Sequence, residues 1–246
     1  MTILAWQRGG CAGGPAVLLL HGWASDGRSD FEAAGWVTAL GRAGYEALVP
    51  DLPGHAASAD VALPPNTDPA GWSAGVVVQD LDRLGVGAVR LVGYAEGCLV
   101  AGHLAARHPE RMRPLVLLSR DDTVGVRGGA QVAALLREER AGLWDAEAAE
   151  VAARARRDGW HHGPALADWV ERAVWPAAPR LAALDMPVLL AVGADDEHRH
   201  GAPRLAQLFH DARLVTVPGD ARTMRKAPET IEAVVAFLKE HEPEGA

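Results

Sequence analysis

Six short, mostly apolar runs, at positions 16–20, 45–49, 88–92, 114–118, 188–192 and 213–217, constrain the fold of this chain more than any other feature. Several of them, such as Ala16-Val17-Leu18-Leu19-Leu20, show none of the polar alternation that a strand needs when one of its faces meets water. They read as strands buried on both faces. Between them lie stretches with helical spacing, at 31–41, 68–84 and 98–108, and another closes the chain at 228–239. Asp68 precedes Pro69 as a helix N-cap would. Buried strands that alternate with helices specify a mostly parallel sheet covered on both sides.

One segment departs from the alternation. Residues 120–184 contain helical patterns at 131–140, 145–158 and 164–175 and no convincing strand. An all-helical insert between two strands of a parallel sheet is placed to lie over the sheet's carboxyl edge, where such folds bind ligands. The expected organisation is therefore a core of residues 1–119 and 185–246 with a helical cap of 120–184. Four of the eight tryptophans (Trp144, Trp160, Trp169 and Trp175) fall in this insert. They either line a cavity for a bulky ligand or fill the core; the sequence is compatible with both.

The formal charge of −8 argues against a protein that tracks nucleic-acid phosphates. No apolar run reaches the roughly 18 residues of a membrane span. The first residues lack a basic segment leading into a long apolar stretch, so no secretory signal is expected. Two cysteines, Cys11 and Cys98, make neither a disulfide framework nor a metal cage, and a reducing cytoplasmic setting is the default. No metal or cofactor is expected, and the expected partner is a small molecule or modified peptide.

Between the run at 88–92 and the helix at 98–108 lies Gly93-Tyr94-Ala95-Glu96-Gly97. Glycines at this spacing permit a tight strand-to-helix turn that lifts the central side chain above the sheet. The segment resembles the nucleophile elbow, Gly-x-Ser-x-Gly, of the α/β-hydrolase superfamily. Four other stretches resemble that family's parts, in its order. His21-Gly22-Trp23 is similar to its oxyanion loop, and Asp51-Leu52-Pro53-Gly54-His55 to its Asp-x-x-Gly-His stretch. Gly193-Ala194-Asp195-Asp196 resembles its acid turn, and Val217-Pro218-Gly219-Asp220-Ala221 its base turn. The resemblance covers nearly the whole chain and implies an α/β-hydrolase fold with a helical cap.

The same resemblance puts alanine at two of the three catalytic positions. Ala95 stands where the family carries its serine, and Ala221 where it carries its histidine. Only the acid remains, at Asp196 with Asp195 beside it. In a serine hydrolase an oxygen nucleophile forms the acyl-enzyme and an imidazole moves its proton, and alanine does neither. Loss of either group costs a serine protease about 10⁶-fold in turnover. Hydrolysis by that route is excluded. Cys98, one helical turn past Ala95, should face packing. Arg222 and Arg225 stay protonated and cannot act as bases. His198, His200, His161 and His162 lack a metal-ligand pattern, and His55 is expected to hold a loop. Glu96 either touches ligand at the pocket floor or holds the loop.

What the family resemblance leaves is a pair of backbone oxyanion donors at Trp23 and Glu96, with Trp23, Tyr94, Ala95, Trp144, Trp160, Trp169 and Ala221 as expected substrate contacts. Such donors stabilise developing negative charge on a carbonyl oxygen without any nucleophile. The chain is similar in this respect to superfamily members that lack the triad and work in natural-product pathways, among them the peptide epimerase of the bottromycin pathway. The leading expectation is a non-hydrolytic epimerase, isomerase or cyclase acting on a bulky peptide or polyketide-like intermediate. Two alternatives stand beside it: a serine esterase or thioesterase whose serine and histidine were replaced, and a ligand-binding protein without chemistry. Asp196, without its histidine, is expected to hold a loop through backbone hydrogen bonds.

Overall fold

A computed structural model of the chain describes residues 2–123, 129–137, 146–156 and 163–242. Seven strands form one sheet: β1 (Trp6–Gly10), β2 (Ala16–Leu20), β3 (Glu46–Pro50), β4 (Val89–Tyr94), β5 (Met112–Leu118), β6 (Val188–Gly193) and β7 (Ala212–Val217). Their order across the sheet is β1-β3-β2-β4-β5-β6-β7. All neighbours run parallel except β1, which pairs antiparallel with β3. The six strands read from the apolar runs are all present. The edge strand β1 was not anticipated, because Trp-Gln-Arg-Gly-Gly carries no run of apolar residues and is only half-buried.

Both faces of the sheet are covered, as unalternating strands require. Leu18, Leu20, Leu91, Leu115 and Leu117 point into one apolar cluster with Ala70, Ala74, Val77 and Leu81 of α2 (Pro69–Arg83) and with Leu99 and Leu104 of α3 (Gly97–Arg107). Val17, Leu19, Val92, Val116 and Leu118 point the other way, towards Trp36 and Leu40 of α1 (Trp36–Arg42) and the Ile231, Val234 and Phe237 face of the carboxyl-terminal helix. The expected helix at 31–41 is broken in two. A π-helical turn at Arg28–Glu32 precedes α1, and Gly35 between them has φ +91°, which ends one helix before the next begins. Asp68 caps α2 as anticipated, accepting from the N–H groups of Ala70 and Gly71.

Among the described residues four helices lie between β5 and β6: α4 (Gly129–Leu136), α5 (Ala146–Arg156), α6 (Gly163–Arg172) and α7 (Ala178–Ala182). The stretch expected to be helical to residue 175 ends earlier, at Arg172. Val132, Leu136, Ala152, Leu166 and Val170 form a separate apolar cluster, against which Trp23 of the loop after β2 packs. Trp169, Ala173, Leu181 and Leu184 instead join the main cluster beneath the sheet's helices. The insert thus divides, its first part roofing the carboxyl edge and its last part continuous with the core. After β6 come a 3₁₀ turn (Glu197–His200) and α8 (Ala202–Ala206); after β7 come α9 (Ala221–Met224) and α10 (Pro228–Glu240). No helix among the described residues is long and apolar enough to cross a membrane.

The amino-terminal segment is tied down by one carboxylate. Asp80 of α2 accepts from Ile3 N–H (2.7 Å), Leu4 N–H (2.8 Å), Trp6 Nε1 (2.9 Å) and Arg83 (2.9 Å). Burial on its own pushes this carboxyl up, but the converging donors outweigh it and hold Asp80 below its ordinary value of 3.8. Asp80→Ala strands two backbone donors and an indole, and should lower stability by about 3 kcal/mol in urea unfolding. Because the folded-state value is depressed, the advantage of wild type over Asp80→Asn should be complete above the ordinary carboxylate range. It should shrink as pH falls below 3.8 and through the lower folded value.

Candidate functional site

The site is built at the carboxyl ends of β2, β4, β5, β6 and β7. At its centre the chain turns sharply from β4 into α3. Ala95 sits at the apex with φ +48°, a left-handed conformation that costs a non-glycine residue about 1–2 kcal/mol. Its N–H donates to Leu118 O at 3.0 Å, and Ala95 O accepts from Cys98 N–H at 3.0 Å. The flanking glycines have no room for side chains. A Cβ on Gly93 would lie 2.7 Å from Cys98 Cα, and one on Gly97 2.1 Å from Leu20 O. The turn therefore has the geometry of a nucleophile elbow with a methyl group at its tip.

Cys98 points away from this tip. It is fully buried, its thiol donates to Gly93 O at 3.3 Å, and burial pushes its pKa up to about 12. That is an inert packing thiol, as anticipated. The oxyanion loop after β2 is fixed by two buried groups. Leu52 N–H donates to His21 Nε2 at 2.8 Å, which places the ring proton on Nδ1, 2.8 Å from Gly22 O. Gly22 N–H donates to Asp30 Oδ2 at 3.0 Å. Asp30 also receives Arg225 Nε at 2.9 Å, and the Arg225 guanidinium lies 5.2 Å from the centre of the Tyr94 ring. Asp30 went unnoticed in the sequence, where it is one acid among many.

Glu96 is the residue whose placement matters most. Its Oε2 accepts from Trp23 N–H at 3.2 Å, and its Oε1 accepts from Arg120 at 3.2 Å. Of the two anticipated oxyanion donors, the Trp23 N–H is thus already engaged by a carboxylate of the same chain. The N–H of Glu96 itself has no acceptor among the described residues. Both oxygens of Glu96 are tied, so its side chain holds the loop. Arg120, in the segment after β5, is 2% exposed and also donates to Thr123 O at 3.2 Å. Nothing in the sequence pattern singled out Arg120.

Tyr94, beside Ala95, reaches the other alanine of the expected triad: its hydroxyl donates to Ala221 O at 2.8 Å. Burial, with the nearby Asp30 charge, raises its phenol pKa. Ala221 opens the short α9, capped by Asp220 and Thr223. Asp196 is 1% exposed; one of its oxygens accepts from His198 N–H at 2.9 Å, and the other is buried without a hydrogen-bond partner. It holds its own turn through the backbone. Asp195 is exposed. Arg222 caps nothing in the site, offering its N–H to Asp220 and its carbonyl to Arg225.

The tryptophans separate. Trp23 is half-buried, and its indole N–H donates to Leu166 O of α6 at 3.0 Å, joining the oxyanion loop to the roof. Trp169, expected as a substrate contact, is 1% exposed in the main cluster; its indole donates to Pro53 O and its ring stands edge-on to His55. It is a core residue, because α6 turns that face onto the loop after β3. Trp175 donates to Asp121 O at 3.2 Å. His55 Nδ1 lies 3.0 Å from Pro53 O, and its ring packs between His21 and Trp169. His200 accepts from its neighbour Arg199 at the surface. Trp144, Trp160, His161 and His162 lie outside the described residues.

Comparison with known proteins agrees with this fold. The alpha/beta hydrolase fold family matches residues 15–135. Epoxide hydrolase 2 of Siraitia grosvenorii is 36% identical over 110 residues, 43% of this chain, and the match spans 32% of that relative's length. Among solved structures, a hydrolase from Pseudomonas aeruginosa PA01 is similar with a TM-score of 0.76 at 23% identity, over 96% of this chain and 94% of that one. The enol-lactonase from Burkholderia xenovorans LB400 gives 0.75 at 23% identity, over 96% of each chain. At these identities the likeness is one of fold. Sheet order, elbow and family match together make the chain a member of the α/β-hydrolase superfamily.

Proposed function

We propose that this chain is a non-hydrolytic enzyme on the hydrolase scaffold, an epimerase or isomerase that moves a proton next to a carbonyl of a bulky peptide-like or polyketide-like ligand. The observation that carries the reading is the Glu96 carboxylate bound to Trp23 N–H beside Ala95. A fixed negative charge at that donor opposes the tetrahedral oxyanion of acyl transfer, in addition to the absence of a nucleophile and its base. An inactivated esterase would keep the donor ready for its substrate. Proton transfer at carbon needs less: a base, a site that excludes water, and some stabilisation of the enolate. The free N–H of Glu96 at the start of α3 is suited to the last. The ligand enters from the carboxyl edge under the helical insert, in a cytoplasmic setting in keeping with the free thiols of Cys11 and Cys98. The direct test incubates the chain with an aspartyl-thiazoline peptide in deuterated water. Deuterium at the α-carbon, with formation of the epimer, is expected; binding without exchange would sink the reading.

Two engineered series should follow from the Glu96 contacts. Ala95→Ser with Ala221→His should remain near background on p-nitrophenyl acetate, because one oxyanion donor is still engaged. Adding Glu96→Ala should raise hydrolysis at least tenfold, within the roughly 10²–10³-fold worth of one such donor. Prompt turnover by the double variant would count against the proposal. Separately, Arg120→Met leaves Glu96 without its cation and should cost about 3 kcal/mol in urea unfolding, of which Glu96→Gln in the same chain should recover a large part.

A further inference from the structure

With both Glu96 oxygens engaged, proton transfer needs another base, and the loops after β5 and β6 bring one together. His198 Nδ1 lies 3.3 Å from Asp121 Oδ1. Asp121 is 7% exposed and accepts at the same oxygen from the Thr123 N–H (3.0 Å) and hydroxyl (2.6 Å). Burial pushes this carboxyl up, but the Thr123 donors and the imidazole outweigh it and hold Asp121 below the usual carboxylate range. A carboxylate on Nδ1 selects the tautomer that leaves the lone pair on Nε2. The backbone of His198 is held from the other side by Asp196 Oδ1, at 2.9 Å. Its imidazole is neither sealed in nor free, with 17% of the side chain exposed.

The pair is also wired to the elbow. Thr123, which donates to Asp121, accepts from Arg120, and Arg120 holds Glu96 beside Ala95. Asp196 and Asp121 flank His198, and Arg204 of α8 pairs with Asp122, beside Asp121. We propose that Asp121 and His198 form a displaced acid–base dyad, in which His198 exchanges a proton with a carbon acid of the ligand and Asp121 is its positioning residue. This rests on the isomerase reading above. In the step, the C–H bond next to the ligand's carbonyl breaks and its proton passes to Nε2. The electron pair moves to the carbonyl oxygen as an enolate. The imidazolium then returns the proton to the same or a neighbouring carbon, and no electron is gained or lost overall.

5-Nitrobenzisoxazole tests the base without knowledge of the natural ligand. Loss of its ring proton to a base opens the N–O bond and releases a coloured cyanophenolate. Wild type should exceed free imidazole at equal concentration. His198→Gln should lose about 100-fold, within the usual range for a general base, and the surface variant His210→Gln should lose nothing. Asp121→Asn should lower kcat with little change in KM, and Asp121→Glu should restore part of it. Independently of turnover, ring ¹⁵N shifts of His198 should show the Nδ1–H tautomer in wild type and a mixture in Asp121→Asn. A wild-type rate no better than free imidazole, a His198→Gln variant as fast as wild type, or a tautomer indifferent to Asp121→Asn overturns the dyad. Cyanophenolate release that tracks His198, with no deuterium exchange in the peptide, keeps the dyad and overturns the isomerase reading alone.

Discussion

Gly97 lies so close under the end of β2 that any side chain there would collide with the carbonyl of Leu20. That approach, repeated where Gly93 meets Cys98, presses the start of α3 against the loop that follows β2. The left-handed turn at Ala95 is the local cost of the contact, and the reach of Glu96 to the Trp23 N–H is its consequence. Were the two loops a few ångströms further apart, the carboxylate would not span them. The hydrogen-bond chain through Arg120 would then lose its anchor.

The distribution of buried polar groups follows from the same edge. His21, Asp51, His55, Arg120, Asp121 and Asp196 all lie just past the carboxyl ends of strands and are 7% exposed or less. Burying such groups is expensive unless each finds a partner. Most do: His21 with Leu52, Asp51 with Gly27 and Ala57, and Arg120 with Glu96. Asp196 keeps one oxygen without a hydrogen bond. The carboxyl edge is therefore charged and ordered around the turn at Ala95.

The strands and the elbow were legible because each depends on a local signal. Unbroken apolar runs report burial on both faces, and glycines at 93 and 97 report a contact too close for side chains. The edge strand Trp6–Gly10 gave no such signal, since only one flank of it is paired. Trp169 shows a different limit: its helix carries apolar residues towards two clusters, and sequence spacing does not say which one a large ring joins. Asp30, Arg120 and Asp121 carry no such signal, because each draws its role from a partner on another loop; Arg120 meets Glu96, 24 residues away. Asp30 meets Arg225, 195 residues along the chain, and Asp121 meets His198. Ala95 and Ala221, by contrast, could be placed because the turns that present them keep their glycines.

Trp23 belongs to two structures at once. Its main-chain nitrogen is committed to Glu96 and its indole nitrogen to the carbonyl of Leu166 in α6. Any displacement of α6 must either sever the indole bond or drag residue 23 along with the helix. In the second case helix and loop move as one body, and the amide's bond to Glu96 is strained with them.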